Sequence, residues 1–339
     1  MPRRVLAFLG LAGFAVSLAI TLASGKAEPG PAAPAAVRPA GDIGDVGHAP
    51  AFRPQADLLP SSTPRDIGTY RDGGAWVDQY DAEVMNNPYP ALLEMKEHGV
   101  RTVYLETGSW RLPRRLDFRD KLGVSLAIDQ AHGLGMKVVG WYLPGLDDVP
   151  LDMRRTRAAL DLRTDRGGKF DGWAVDIESQ RVRPIARRNV ALMRYSRALR
   201  RLVGPDYALG AIVPDQRSST VSPGLWPGLP YASVASVYDV FLPMAYSSYR
   251  GHGSAFAYSY TRSNVEFVRA ATRRPVHLIG GLEPLAGGEP AAVVRGAVDG
   301  GAIGASFYDF VGATDLTWRA LGALEGASPS ARRRSASAR

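Results

Sequence analysis

Asp176 and Glu178 are the residues of this 339-residue chain whose type and spacing most directly imply chemistry. They end the run Phe170-Asp-Gly-Trp-Ala-Val-Asp-Ile-Glu-Ser179, which reads as a buried β-strand. Side chains alternate between the two faces of a strand, so both acids share one face, with Ala174 behind them. Two carboxylates directed into one space repel as anions and resist desolvation, which raises the pKa of at least one of them. Such a pair suits general acid–base work. Its structural alternative is binding of neighbouring arginines or capping of the next helix.

The elements that would position these acids alternate in kind along the chain. Strands are expected at Trp76–Tyr80, Thr102–Glu106, Lys137–Leu143, Phe170–Ser179, Ala208–Val213, Val240–Tyr246, Val276–Leu282 and Ile303–Tyr308. Between them lie helical patterns, several closed by glycine, as at Gly99 and Gly135. In the helix expected over Pro184–Val203, Ile185, Val190, Met193, Leu199 and Leu202 read as the apolar stripe. Arg187, Arg188, Arg194, Arg197, Arg200 and Arg201 of that helix read as a solvated face. Nearly continuous apolar strands, each followed by a helix, imply a parallel sheet covered by helices. Eight such units in roughly 270 residues match an α/β fold of the closed (β/α)8 barrel type, for which about 250 residues is typical. An open doubly wound sheet is the alternative, but no glycine-rich dinucleotide turn follows the first strand.

A closed barrel gathers the carboxyl ends of its strands on one face. Those ends carry Asp78, Glu106, Trp141 with Tyr142, Asp176 with Glu178, Asp215, Tyr246, Glu283 and Asp309. Acids recur at most of them. Trp110, Trp141, Trp226 and Tyr249 either pack beneath loops or offer faces for sugar stacking. Carboxylates and aromatic rings at an open cleft suit a carbohydrate, and a polysaccharide is the expected partner.

Asp171-Gly-Trp-Ala-Val-Asp-Ile-Glu178 resembles the fourth-strand signature of glycoside hydrolase family 18, the chitinase-like enzymes, and Met244-Ala-Tyr246 resembles that family's sixth-strand motif. Ala174 and Ser247 stand where the family pattern has aspartates. The resemblance implies that Glu178 is the general acid, that Asp176 orients the substrate's own N-acetyl group, and that Tyr246 hydrogen-bonds to that group. It implies a β-linked, N-acetylated polysaccharide as substrate. Substrate contacts are expected from Asp78, Glu106, Trp110, Trp141, Tyr142, Asp215, Met244 and Asp309. Two other readings stand beside it. Glu178 and Glu283, at the ends of strands four and seven, would form a retaining pair if their carboxyls lay about 5 to 5.5 Å apart. The two lost aspartates would instead suit an inactive barrel that binds wall glycans.

The ends of the chain differ in character from this core. Pro2-Arg3-Arg4 precedes the uncharged apolar run Val5–Ala23, so residues 1–25 read as a signal peptide or membrane anchor, with the remainder outside the cytoplasm. Residues 26–65 are a Pro/Ala/Gly-rich linker, 66–326 the folded domain, and 327–339 a basic tail. The net charge of +8 owes part of its size to that tail, and no basic patch interleaved with aromatics suggests nucleic acid. The segments outside the domain suit association with a membrane or cell wall. With no cysteine and five scattered histidines, neither disulfides nor a transition-metal site is expected, and no cofactor is required.

Overall fold

The computed structural model describes residues 65–327 apart from Pro223, Leu282 and Glu283, so the expected leader, nearly all of the linker and the tail lie outside the described residues. Eight parallel strands close into a barrel in chain order. They are β1 (Asp72–Val77), β2 (Thr102–Ser109), β3 (Lys137–Leu143), β4 (Gly172–Asp176), β5 (Leu209–Pro214), β6 (Val240–Met244), β7 (His277–Gly281) and β8 (Gly304–Tyr308). β8 pairs back onto β1, with Gly74 opposite Ser306. The helices are α1 (Ala82–Asn86), α2 (Pro88–Glu97), α3 (Lys121–Gly133), α4 (Val149–Leu160), α5 (Ile185–Val203), α6 (Gln216–Thr220), α7 (Tyr231–Ala235), α8 (Ser254–Thr272), α9 (Glu289–Asp299) and α10 (Asp315–Ala327). None of them is long and apolar enough to cross a membrane.

This is the (β/α)8 barrel that the alternation predicts, with local differences. β1 starts and stops earlier than expected. The Asp78 carboxylate accepts a hydrogen bond from the Tyr80 amide at 2.6 Å, an Asp-centred turn that takes the chain out of the sheet. The five-residue helices α1, α6 and α7 were not foreseen, because so short a segment shows no helical period. On α5, Arg188 and Arg200 are only 5% exposed, whereas Val190 is 71% exposed. The expected faces were therefore partly exchanged. Both guanidinium groups satisfy backbone carbonyls: Arg188 those of Val182 and Leu225, and Arg200 that of Val237.

Alternation along the strands builds two cores. Trp76, Tyr104, Val139, Trp141, Ile212 and Leu242 fill the barrel. Their strand neighbours, such as Leu105, Val138, Trp173 and Phe241, pack outward against the helices. The inside is filled tightly enough to constrain sequence. A Cβ on Gly74 would lie 2.6 Å from Cε2 of Tyr104, so only glycine admits that ring. At the closed end the buried Tyr70 hydroxyl donates to the Trp173 carbonyl at 2.8 Å. His277 bridges the Tyr70 carbonyl at 2.8 Å and the Ser306 hydroxyl at 2.9 Å. Since a carbonyl only accepts, Nδ1 carries the imidazole proton and Nε2 accepts from Ser306.

Burial pushes His277 down from 6.5 to about 4, so the ring is neutral in the fold. The stability gained by keeping it neutral is complete above pH 6.5 and is lost as pH falls to 4. At about 1.36 kcal/mol per pH unit, that loss is about 3 kcal/mol. Denaturant unfolding of the parent and His277→Gln between pH 7 and pH 4 checks this. The parent should lose about 3 kcal/mol more than the variant over that interval, and parallel pH dependences would contradict it.

Candidate active site

The inward face of β4 ends in Ala174 and Asp176, and Glu178 continues their alternation in the first residues beyond the strand. Asp176 is 5% exposed, and one of its carboxylate oxygens, Oδ1, is buried without a hydrogen-bond partner. Burial holds its pKa well above the usual carboxylate range, and the charges of Glu178 and Glu106 push it in the same direction. Glu178 is half-buried. Desolvation raises it to about 7, against the opposing pull of the Arg111 guanidinium. A carboxyl balanced there is suited to give and take a proton near neutral pH.

Three other strands bring partners to this pair. From β2, Glu106 is 3% exposed and accepts from the Gln79 side-chain amide at 2.7 Å and the Gln79 backbone amide at 3.2 Å. Burial raises it to about 8, with the charges of Asp78 and Glu178 adding to the effect. Two residues beyond β6, burial and then the charges of Asp176 and Glu178 push the Tyr246 phenol well above its ordinary range. From β8, Tyr308 packs against Tyr246 with ring centroids 6.5 Å apart, and its hydroxyl donates to Asp78 at 3.4 Å. Beyond Tyr308 lies a second group of half-buried acids, Asp78, Asp81 and Asp309. Desolvation raises all three, Asp81 to about 8 with help from the charges of the other two. The floor beneath is aromatic: Trp76 stacks on Tyr104 at 4.3 Å and meets Trp141 edge-on at 5.8 Å.

Two buried charges hold the rim. Arg155 on α4 donates to the carbonyls of Ser109, Leu112, Pro113 and Leu116 at 2.6 to 3.1 Å, pinning the loop that carries Trp110 and Arg111. Asp152 accepts from the Gly145 and Leu146 amides at 3.1 and 2.8 Å and so pins the loop after β3. Gly145 lies where the rim loops meet, since a Cβ there would be 3.0 Å from Cβ of Trp110 and 3.3 Å from Cδ of Arg181.

Of the residues expected to form the site, Asp78, Glu106, Asp176, Glu178, Tyr246 and Asp309 are brought together. Met244 lines the inner wall beneath them. Trp141 is 2% exposed and serves as floor, with no open face for a sugar. Trp110 stays at the rim, with the guanidinium groups of Arg111 and Arg181 4.9 and 4.6 Å from its ring centre. Tyr142 and Asp215 do not join the group. Tyr142 follows Trp141 and so points outward, where its hydroxyl donates to Asp152 at 2.8 Å. Asp215 caps α6 through the Ser218 amide at 2.9 Å and pairs with Arg250 at 2.9 Å. Trp226 is fully buried, its indole donating to Asn189 at 2.8 Å, and Tyr249 is exposed with its ring 6.5 Å from that of Tyr246. Glu283 lies outside the described residues, and with it the retaining pair. Gln79, Asp81, Arg111 and Tyr308 belong to the site but were not anticipated. Only Tyr308 had a signal, since it shares the inward parity of Ser306.

No protein-family model matches the chain, and no curated protein matches it in sequence. Solved structures do match its fold. The endo-β-1,4-mannanase of Thermotoga petrophila is similar with a TM-score of 0.59 at 10% identity, over 77% of this chain and 78% of that one. The PgaB (BpsB) glycoside hydrolase domain of Bordetella bronchiseptica has a TM-score of 0.55 at 16% identity, over 74% and 98%. A family GH18 chitinase of Cycas revoluta, bound to allosamidin, has a TM-score of 0.53 at 14% identity, over 75% and 99%. The likeness is one of fold. The chain shares with them the closed (β/α)8 barrel, and its chemistry must be argued from its own residues.

Arg155 offers a direct test of how the rim is held. Replacing it with methionine keeps the aliphatic bulk but strands several buried carbonyls. The expected cost is about 2 to 4 kcal/mol, measured by denaturant unfolding. A change within about 0.5 kcal/mol, as for an ordinary surface substitution, would show that the loop does not depend on it.

Proposed function

We propose that this protein is a glycoside hydrolase that cleaves a β-linked, N-acetylated polysaccharide outside the cytoplasm, with Glu178 as general acid. The observation that carries this reading is Glu178 itself, half-buried and raised to about 7, just beyond the carboxyl end of β4 beside the more deeply buried Asp176. The fold likeness to a GH18 chitinase and to the PgaB glycoside hydrolase domain supports it. The sequence of the first 25 residues supports the location.

In the proposed reaction Glu178 gives its proton to the glycosidic oxygen as the bond to the anomeric carbon breaks. The acetamide oxygen of the same sugar attacks that carbon and forms a cyclic intermediate. Asp176 and Tyr246 steady the acetamide. Water then opens the ring while ionised Glu178 takes a proton from it, which restores the starting state. An anionic glycan is disfavoured, because Asp78, Asp81, Glu106, Asp176, Glu178 and Asp309 all face the same region.

One observation favours a second reading, a barrel that binds glycan without cleaving it. Ala174 is wholly buried beneath Asp176, whose Oδ1 has no partner. Hydrolysis of chitin, peptidoglycan and other glycans by the parent and Glu178→Gln separates the readings. Loss of the acid should lower kcat by about 10²- to 10⁴-fold. Equal rates would remove Glu178 from the mechanism, and binding with no turnover by either protein would establish the binding module.

The direction of the pH dependence is also determined. A general acid must start protonated, so the parent's kcat should fall as pH rises through about 7. A rate that climbs across that range would assign Glu178 the opposite role.

A further inference from the structure

α5 carries a face that neither the barrel core nor the proposed reaction uses. Its 19 residues hold six arginines and no carboxylate, and among the described helices of eight residues or more it is the one without an acid. Arg188 and Arg200 turn inward to backbone carbonyls. Arg187, Val190, Arg194, Arg197 and Arg201 recur at spacings of three and four, so they share one side of the helix, and all are exposed. At 1.5 Å per residue the row runs about 21 Å along the helix. Like charges at such spacings repel, so the row costs the helix stability until an anion meets it. Among the described residues no carboxylate pairs with Arg187, Arg194 or Arg201. Of the flanking helices, α4 exposes Arg154, Arg157 and Asp161, with Arg154 tied to Asp117 at 2.8 Å, and α7 exposes Ala232 and Ser233. In the middle of the row stands Val190, 71% exposed.

We propose that this face of α5 is a docking surface for an anionic phospholipid bilayer. The inference goes beyond the hydrolase reading and does not depend on it. Charge complementarity supplies the chemistry. Each guanidinium group can meet phosphate oxygens in bidentate fashion, while the long arginine stems and Val190 reach into the headgroup layer. The path of the chain favours a membrane over a soluble polyanion. Arg65, the first described residue, donates to the carbonyl of Pro205, two residues beyond the end of α5. It also pairs with Asp239, which holds Arg200 of α5 at 2.7 Å. The upstream chain thus joins the domain at the foot of this helix, and its sequence contains the uncharged apolar run Val5–Ala23. A bilayer that holds that run is offered to α5 at high effective concentration, and each arginine then adds attraction through the negative surface potential.

The test uses the full chain and needs no substrate. Because the chain has no cysteine, Val190→Cys places a single fluorophore in the row. Leu316→Cys places one on α10, which follows β8, four strands round the barrel from the β4 that leads into α5. Each labelled chain is mixed with vesicles carrying a headgroup quencher, made of phosphatidylcholine alone or with about 30% phosphatidylglycerol. The apolar run can hold the chain to either vesicle, so the comparison isolates the charged face. The label at position 190 should be quenched at least about threefold more on the anionic vesicles, and about 0.5 M salt should abolish the difference. The combined substitution Arg187→Gln, Arg194→Gln and Arg201→Gln should also abolish it, with an unchanged melting temperature showing that the barrel is intact. The label at position 316 should not distinguish the vesicles. Equal quenching of the 190 label on both vesicles, the same response at both positions, or quenching that survives the triple substitution would overturn the proposal. A 190 label that responds to soluble polyphosphate and not to vesicles would overturn it too, and would assign the face to a soluble polyanion.

Discussion

The constraint on which the site depends is the removal of several carboxyl groups from water at one end of a closed barrel. Each inward-facing acid loses hydration as the strands converge, and each anion raises the cost of ionising its neighbours. Burial is the leading cause of the shifts at Glu106, Asp176 and Glu178, and mutual repulsion adds to it at the first two. Arg111 opposes all three. The result is a set of carboxyl groups whose ionisation is displaced upward from the ordinary carboxylate range. Beneath them lies the aromatic floor of Trp76, Tyr104 and Trp141.

Such an arrangement needs a rigid frame, because the shifts depend on separation and burial. The frame comes from satisfying backbone groups with buried charge. Arg155 and Asp152 each serve several backbone partners in the rim loops, while Tyr142 ties Asp152 back to β3. Deep in the barrel, His277, Ser306 and Trp76 share one hydrogen-bonded chain that locks the aromatic floor to three strands. The barrel is thus polar where it must be exact in geometry and apolar where it must only be full.

Much of this was legible in the residues. The eight strand–helix units and the shared face of Asp176 and Glu178 follow from periodicity, which is local. Tyr142 cannot share the inward face of Trp141, because adjacent strand residues face opposite ways. Asp215 carried a readable sign of capping in Ser218 three residues on. Asp81 and Arg111 lie on irregular loops, where no period reports direction. The approach of Glu106 to Asp176 depends on the register of β2, β3 and β4, a relation across strands that no single segment encodes.

The account's central claim is that these acids form one glycan site centred on Glu178. The structure of Glu178→Gln with a bound N-acetylated oligosaccharide tests it most directly. A glycosidic oxygen should lie about 2.6 to 3.2 Å from the side chain at position 178, with the acetamide of the preceding sugar directed at Asp176 and Tyr246. A sugar chain seated away from the end of β4, or one whose acetamide points away from Asp176, would contradict it.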